Sequence, residues 1–461
     1  MNSQTQEIPF VSSKRASPSI VDKFDLICIL ALLLSFLAVS RLPATPSKYG
    51  DLYFHLEAQQ LARTFHGVYS WKHVTVVRAP GPVLYYAVPY LFVQPNSPDE
   101  TYWRAALIWN ALWMAIAILL IRRTANYLLD PAAGKIAAVL ALMVPLPVYY
   151  SFGVAAETPT YVSAVFFLYG WARWRSDRAL RFSSGASIAM AGLIALTLFR
   201  PNVLVVLGIA AFCAAARWLR HSKRGIRDAK FAILSIAVGL STAVLVSLLV
   251  KNLPANQGIK NLQDKNFSDV LFFGSFQFRS EPWDWRYWGK TTRDGSLDYQ
   301  NWLDTRQDLL QTSAATGEPI SRLQTKWAVR DITHHPLTRL QMFAVRTLAL
   351  NIWIVNSTQP ANFHLGPLKG RSIYLLFHII LNGIALLPLF LSIWYLTISR
   401  ANFFADWPLW GIWAALLLFH AFTYAEPRYM LAGQPGLAIM AGCALSERIG
   451  RRRIVASRLQ E

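Results

Sequence analysis

Apolar runs long enough to cross a bilayer recur along almost the whole chain, and no other feature narrows the possible folds as much. They lie near residues 24–42, 103–121, 134–152, 156–172, 185–199, 202–216, 231–250, 373–397, 408–424 and 429–446. A hydrophobic content of 54% against 15% charged residues agrees with these runs and excludes an ordinary soluble globule. The expected fold class is an all-α polytopic membrane protein with about ten transmembrane helices, since a segment in lipid must satisfy its own backbone polar groups. The first run follows Lys14, Arg15 and Lys23 with no small-residue cleavage site behind it, so it reads as a retained helix. Within "GASIAMAG", Gly185, Ala189 and Gly192 stand at close helical spacing, the pattern of two helices packed tightly together.

Basic residues set the orientation. A net charge of +20 would suggest nucleic acid in a soluble protein, but the clusters fall between apolar runs, where topology accounts for them. Arg122 and Arg123, then Arg173, Arg175, Arg178 and Arg181, then the stretch from Arg217 to Lys230, then Arg451, Arg452 and Arg453 all belong in the cytoplasm, with both termini. That parity requires residues 82–93 not to cross, and a dozen residues containing Pro82 and Pro89 suit an interfacial or re-entrant helix. Residues 337–355, where Arg339 and Arg346 share one helical face, should likewise lie along the membrane surface. The chain then divides into a membrane module over 1–250 with a first outside loop at 43–101, a larger outside loop with its surface helix over 251–372, and C-terminal helices with a basic tail over 373–461. Cys28, Cys213 and Cys443 sit inside apolar runs and make neither a disulfide framework nor a metal cage.

Chemistry is therefore sought in the outside segments. Asp51 heads a helix in "GDLYFHLEAQQLAR" whose apolar stripe is Phe54, Ala58, Leu61 and Phe65. It reads either as an N-cap or as a general base that takes a proton from an attacking hydroxyl. His55 lies one turn on and joins the candidate substrate-binding residues. Arg78 in "VVRAPGPVLYY" and Arg200 in "TLFRPNVL" either snorkel to lipid headgroups or grip a phosphate in bidentate fashion. Glu157 in "GVAAETPTY" begins a span, as a solvated helix start or as a functional carboxylate held at the bilayer boundary. Glu426, Arg428 and Tyr429 stand at the mouth of the last span. Parity puts all of these on one face of the membrane.

In the larger loop, Trp283, Trp285, Tyr287, Trp288, Tyr299 and Trp302 fall within about twenty residues. Their faces suit stacking on sugar rings, but building a small core or docking the loop on the membrane is the commoner use. His334 and His335 have no acidic or cysteine partner at ligand spacing, so no metal is expected there. The chain carries no phosphate-cradling glycine loop, no H-E-x-x-H pair and no nucleophile elbow.

Four stretches together resemble the glycosyltransferase superfamily C (GT-C): "GDLYFHLEAQQLAR", "RAPGPVLYY", "AAETPTYVSAVFFLYGWAR" and "EPRYMLAGQPGLAIMAG". The resemblance is nearest the bacterial branch with lipopolysaccharide-modifying and protein O-mannosyltransferase-like members, glycosyltransferase families 39 and 83. It implies the GT-C fold, with periplasmic interfacial helices and a larger periplasmic loop, in a bacterial inner membrane. It implies an inverting glycosyltransferase that moves a sugar from a polyprenyl-phosphate donor to an acceptor hydroxyl on the periplasmic face. The partners it implies are the polyprenyl-phosphate-linked sugar, membrane lipid, and an envelope glycan, glycolipid or protein as acceptor, with no nucleic acid and no cofactor beyond the lipid-linked donor. By the same resemblance Asp51 is the base, Glu157, Arg78 and Arg200 lie beside the donor phosphate, and Arg428 and Tyr429 follow. The acidic–basic pair that precedes the prolines in the aminoarabinose transferases is absent, and Arg78 stands two residues before Pro80 instead. No second acidic pair of the kind found in metal-dependent oligosaccharyltransferases is present, so no metal is implied.

A lipid-linked sugar transporter or flippase would need the same arginines without a base, and would be expected to carry ionisable residues near the midplane of its spans. A glycan ligase is a related enzyme alternative. The topology is checked by single cysteines placed through Asp51→Cys, Glu157→Cys and Arg428→Cys. An impermeant thiol reagent added to intact cells should label all three, and labelling of any one only from the cytoplasmic side would break the common face.

Overall fold

Proline marks where many of the helices begin, because a residue without an N–H loses nothing in a first turn. The computed structural model describes residues 22–40, 52–70, 79–176, 184–219, 223–252, 262–280, 297–351, 364–365, 368–369, 371–398 and 403–458. Helices α1 (Lys23–Ser40), α2 (Leu52–Phe65), α3 (Pro80–Tyr90), α4 (Asp99–Leu128), α5 (Pro131–Met143) and α6 (Pro145–Ser151) lead into α7 (Glu157–Ser176) and α8 (Ser184–Phe199). After a 3₁₀ turn at Pro201–Val205 come α9 (Val206–Trp218) and α10 (Lys223–Asn252). An outer group follows: α11 (Leu262–Gly274), α12 (Leu297–Thr316), α13 (Ile320–His334) and α14 (Pro336–Asn351). Strands β1 (His364–Leu365) and β2 (Leu368–Lys369) pair antiparallel, Leu365 opposite Leu368. The chain closes with α15 (Arg371–Ile398), α16 (Trp407–Phe422), a 3₁₀ turn at Pro427–Gly433, and α17 (Gln434–Arg458).

Several expected spans are broken where proline sits. The run 134–152 is two helices, α5 and α6, parted at the extended Val144 just before Pro145. The runs from 202 and from 429 begin as 3₁₀ turns behind Pro201 and Pro427, and become α-helical only at Val206 and Gln434. Among the described residues, four helices are long and apolar enough to cross a membrane by length and composition: Asp99–Leu128, Pro201–Trp218, Gly225–Leu248 and Ile379–Ile398. Shorter apolar helices span Pro131–Met143, Ser184–Phe199 and Trp407–Phe422. Helices α1, α7 and α17, all three expected to cross, are in neither set. The reason in α7 is visible in its sequence, where Glu157, Thr158, Thr160 and Ser163 fill the first two turns and Arg173 and Arg175 the last. Helix α3, with 11 residues, is too short to cross, in line with its expected place outside the crossing set.

Helix α7 is the centre of the bundle. Residues from Glu157 to Trp174 are buried on every face of it, and it packs against α8, α4, α17 and the 427–433 turn. Against α8 the backbones nearly touch. A Cβ on Gly192 would lie 2.5 Å from the Phe167 nitrogen and 2.9 Å from its Cα, and Gly170 and Gly185 meet the partner backbone as closely. The small-residue spacing read from the sequence is this seam.

The two ends of the bundle are tied by paired charges. At the end expected to be cytoplasmic, Arg122 of α4 pairs with Asp22 and Asp25 at the start of α1. Arg175 of α7 pairs with Asp406, which also accepts from Tyr395 at 3.0 Å. Arg217 pairs with Asp228 at 2.6 Å, and Asp130 caps α5 while accepting from Ser446 of α17 at 2.9 Å. A helix of the length of α7 runs about 30 Å, so Glu157 stands at the far end from Arg175.

The outer group has its own aromatic core. The Trp327 ring stacks on Phe276 at 4.9 Å and meets Phe272 edge-on at 5.3 Å, joining α11 to α13. Tyr299 stacks on Trp302 at 5.5 Å, and Trp302 meets Phe273 at 5.2 Å. Of the six aromatics singled out from the sequence, Tyr299 and Trp302 are half-buried and packed in this way; Trp283, Trp285, Tyr287 and Trp288 lie outside the described residues. Asp331 draws Arg279 (2.7 Å) and Arg339 (2.5 Å) together beneath this core. His334 is exposed and bonds to the Arg330 carbonyl of its own helix.

Filling the α7–α8 seam should be costly. Gly192→Leu is expected to lower stability by about 1–3 kcal/mol or more, read as a fall in the thermal unfolding midpoint in detergent. Gly208→Leu, where a Cβ meets nothing within 4 Å, is the control and should leave the midpoint unchanged or raised.

Candidate active site

Glu157 opens α7, where unpaired backbone N–H groups and the helix dipole favour a carboxylate. It is only 3% exposed, and a buried carboxylate needs a counter-charge. Arg200, at the end of α8, donates to it directly through Nη2, and the Arg428 Nε stands 3.8 Å from the same oxygen. Arg428 in turn donates through Nε to Glu426. Two carboxylates and two guanidiniums from three separate parts of the chain therefore form one cluster.

Tyr429 carries both cations on its ring, Arg200 at 4.9 Å and Arg428 at 5.4 Å from the centroid. The same ring is met by His420 of α16, stacked at 4.3 Å with the planes 27° apart, and edge-on by Tyr424 at 6.3 Å. His420 is 3.2 Å from the Tyr424 carbonyl through Nδ1 and 2.9 Å from the Asn202 side-chain nitrogen through Nε2. A carbonyl can only accept and an amide NH₂ only donate, so Nδ1 carries the proton. The Tyr424 hydroxyl donates to Glu426 at 3.2 Å.

The loop that delivers Glu157 is shaped by α3 and α4. The Tyr86 hydroxyl donates to the Ala155 carbonyl at 2.9 Å and accepts from the Ala155 N–H at 3.0 Å. The Asn110 amide donates to the Ser151 and Gly153 carbonyls, each at 2.9 Å. All four groups are buried, where an unpaired carbonyl would be costly, so these bonds set the entry into α7. The start of α3 also lies against the end of α8, since a Cβ on Gly81 would collide with Leu198 and Phe199. Arg200 follows directly.

Of the residues proposed from sequence, Glu157, Arg200, Arg428 and Tyr429 meet, and Glu426 joins them. Asp51 and Arg78 lie outside the described residues; they precede α2 by one residue and α3 by two. His55 is engaged elsewhere. It is buried between α2, α3 and α4, with Nδ1 at 2.8 Å from the Tyr90 hydroxyl and Nε2 at 2.9 Å from Gln59, which also donates to Asp99 at 2.9 Å. The stripe of α2 packs through Phe54, Ala58 and Leu61, while Phe65 at the helix end is 60% exposed. Asn202, His420, Tyr86 and Asn110 were not singled out from the sequence. Asn202 was within reach, two residues past Arg200; the other three sit in apolar runs with no local pattern to mark them. Among the described residues no three His, Cys, Asp or Glu side chains gather as a metal-holding group.

No protein-family model and no curated protein matches the chain. Solved structures do. The archaeal oligosaccharyltransferase AglB from Archaeoglobus fulgidus, in complex with an inhibitory peptide and a dolichol-phosphate, aligns with a TM-score of 0.51 at 15% identity, over 94% of this chain and 51% of that one. The likeness is one of fold. The chain is built of helices, several of them long and apolar enough to cross a membrane, and it spans about half the length of that enzyme. Two further structures of the A. fulgidus oligosaccharyltransferase were also found. The apo form has a TM-score of 0.46 at 14% identity, over 94% of this chain and 52% of that one. The form tethered by a disulfide to an acceptor peptide containing the NVT sequon has 0.47 at 13%, over 94% and 50%.

The His55 network gives a pH dependence of stability. Burial lowers its pKa below the ordinary value of about 6.5, so the unfolded chain takes up this proton at higher pH than the folded one. Stability should fall as pH drops below about 6.5 and keep falling until the folded state also protonates. Thermal midpoints in detergent between pH 7.5 and 5 are expected to slope less in His55→Gln than in the wild type.

Proposed function

We propose that the chain is an inverting glycosyltransferase that moves a sugar from a polyprenyl-phosphate donor to an acceptor hydroxyl at the periplasmic face of a bacterial inner membrane. The acceptor in this reading is an envelope glycan, glycolipid or protein, as the resemblance to lipopolysaccharide-modifying and protein O-mannosyltransferase-like enzymes implies. The observation that carries the reading is the cluster of Glu157, Arg200, Glu426 and Arg428, joined at one end of a GT-C-related bundle.

In this reaction the acceptor hydroxyl attacks the anomeric carbon, the bond from that carbon to the phosphate oxygen breaks, and polyprenyl phosphate leaves. Asp51 takes the hydroxyl proton. Arg200 and Arg428 face the leaving phosphate, whose charge grows as the bond opens. Each guanidinium has five N–H donors, and Arg200 engages Glu157 through one Nη while Arg428 engages Glu426 through Nε. Donors remain on both for an anion. The four charged groups sum to zero, so an arriving phosphodiester calls for a further cation. Arg78 is the candidate: it stands two residues ahead of α3, whose start abuts the backbone just before Arg200. Glu157 and Glu426 hold the arginines in place, and Tyr429 supplies the face on which both rest. No cofactor beyond the lipid-linked donor enters this scheme.

The test is transfer of label from a radiolabelled polyprenyl-phosphate sugar to envelope lipid, glycan or protein by the purified chain. Asp51→Asn should lower the rate by about a hundredfold to ten-thousandfold with an unchanged thermal midpoint. A wild-type rate in that variant would leave Asp51 a helix cap. Label that crosses the bilayer while staying on its carrier would make the protein a transporter.

A further inference from the structure

Among the described residues, a buried seam joins the outer group to the bundle next to the charged cluster. Its first part is Gln277, 1% exposed, in the turn after α11. Its side-chain nitrogen donates to the Ala425 carbonyl and its oxygen accepts from the Ala425 N–H, both at 2.8 Å. A single amide thereby copies the pairing of one β-strand residue with its neighbour. The second part is Arg346 of α14, also 1% exposed. Its Nη1 donates to the Ala421 and Phe422 carbonyls at 3.3 and 3.2 Å, and its Nη2 to the Gln277 carbonyl at 3.2 Å and to that of Gly274. The first two acceptors belong to the last turn of α16, where a cation offsets the helix dipole. Gly274 is pressed on the Thr423 carbonyl so closely that any Cβ would collide. Phe278, at φ 64°, holds the left-handed conformation that ends the turn.

A seam that served only to attach the outer group could have been apolar, since a buried guanidinium with no carboxylate paired to it among the described residues is a costly way to hold two elements together. What directional bonds add is register. The segment they fix, 421–425, runs straight into Glu426 and Arg428, and the Tyr424 ring between them packs on Phe273 of α11 at 5.0 Å. We propose that Gln277 and Arg346 are positioning residues: through the 421–425 segment they set where Glu426 and Arg428 stand relative to Glu157. The outer group and the phosphate-facing arginine are then one mechanical unit, so an acceptor engaging α11–α14 is felt at Arg428. This rests on the phosphate-binding role proposed for the cluster.

The test measures binding of a fluorescent polyprenyl monophosphate to the detergent-purified chain, well below the unfolding midpoint of each variant. Gln277→Ala removes the paired bonds to Ala425 and should weaken binding about tenfold. In an Arg428→Ala background the same change should weaken it less than twofold, because its effect passes through Arg428. Arg346→Lys, which keeps the charge but cannot span four carbonyls, should behave alike and serves where Gln277→Ala does not fold. A Gln277→Ala protein with a lowered midpoint and wild-type binding would overturn the latch, and so would an undiminished loss in the Arg428→Ala background. A wild type that does not bind the probe at all would overturn the functional reading, and the positioning role with it.

Discussion

A charge buried at the end of an apolar helix has to be neutralised where it stands, and this requirement organises the molecule around α7. Its first residue, Glu157, is covered and is met by Arg200 and Arg428; near its other end, Arg175 is met by Asp406. Neither pair is local in sequence. Arg200 comes from the end of α8, Arg428 from the approach to α17, and Asp406 from the start of α16. Pairing at both ends therefore fixes how far each of these helices can slide along α7. Helix α16 runs from Asp406, paired with Arg175, to His420, stacked on the Tyr429 ring of the Glu157 cluster, so one element registers both ends. The glycine seam between α7 and α8 works with this. Backbones that touch leave Arg200 little lateral freedom, and the ion pair supplies the direction that van der Waals contact lacks.

The backbone on the way into α7 follows the same logic with neutral groups. Residues 152–156 form no regular helix, so carbonyls there and at Ser151, the last residue of α6, need other donors in a buried place. Tyr86 and Asn110 supply them, and Tyr85 holds Asn110 through its hydroxyl at 3.1 Å. Helix α3 is thus more than a surface cover. It braces the loop that presents Glu157 with one tyrosine and abuts the end of α8 with Gly81.

What could be read from the sequence follows from the range of each interaction. Apolar runs and basic turns are local, so the helices and the common face of Glu157, Arg200 and Arg428 were legible from span parity. Proline effects were legible only in part. Pro82 and Pro89 correctly marked a short helix, while the break at Pro145 was passed over because the run around it stays apolar. His55 misled for a related reason: one turn from Asp51 it looks like part of a site, yet Tyr90 and Gln59 claim both ring nitrogens. Arg346 looked like a residue for the membrane surface because it shares one helical face with Arg339 in an otherwise apolar run. Its carbonyl partners lie about seventy residues away on either side, a distance no pattern in one sequence spans.

The balance of charge in the cluster bears on how such a site would catalyse. Two free arginines would hold a phosphodiester tightly and gain little more when it became a leaving group. Under the proposed function, arginines already paired with Glu157 and Glu426 would bind a singly charged donor weakly, since their fields are largely cancelled at rest. The additional charge that develops on the phosphate as the sugar departs is then met by donors already oriented, at no cost of reorganisation. On this argument the two glutamates act on the rate through the difference between bound donor and transition state. Neutralising either one would tighten the hold on donor and product together, and slow release would become the limit on turnover.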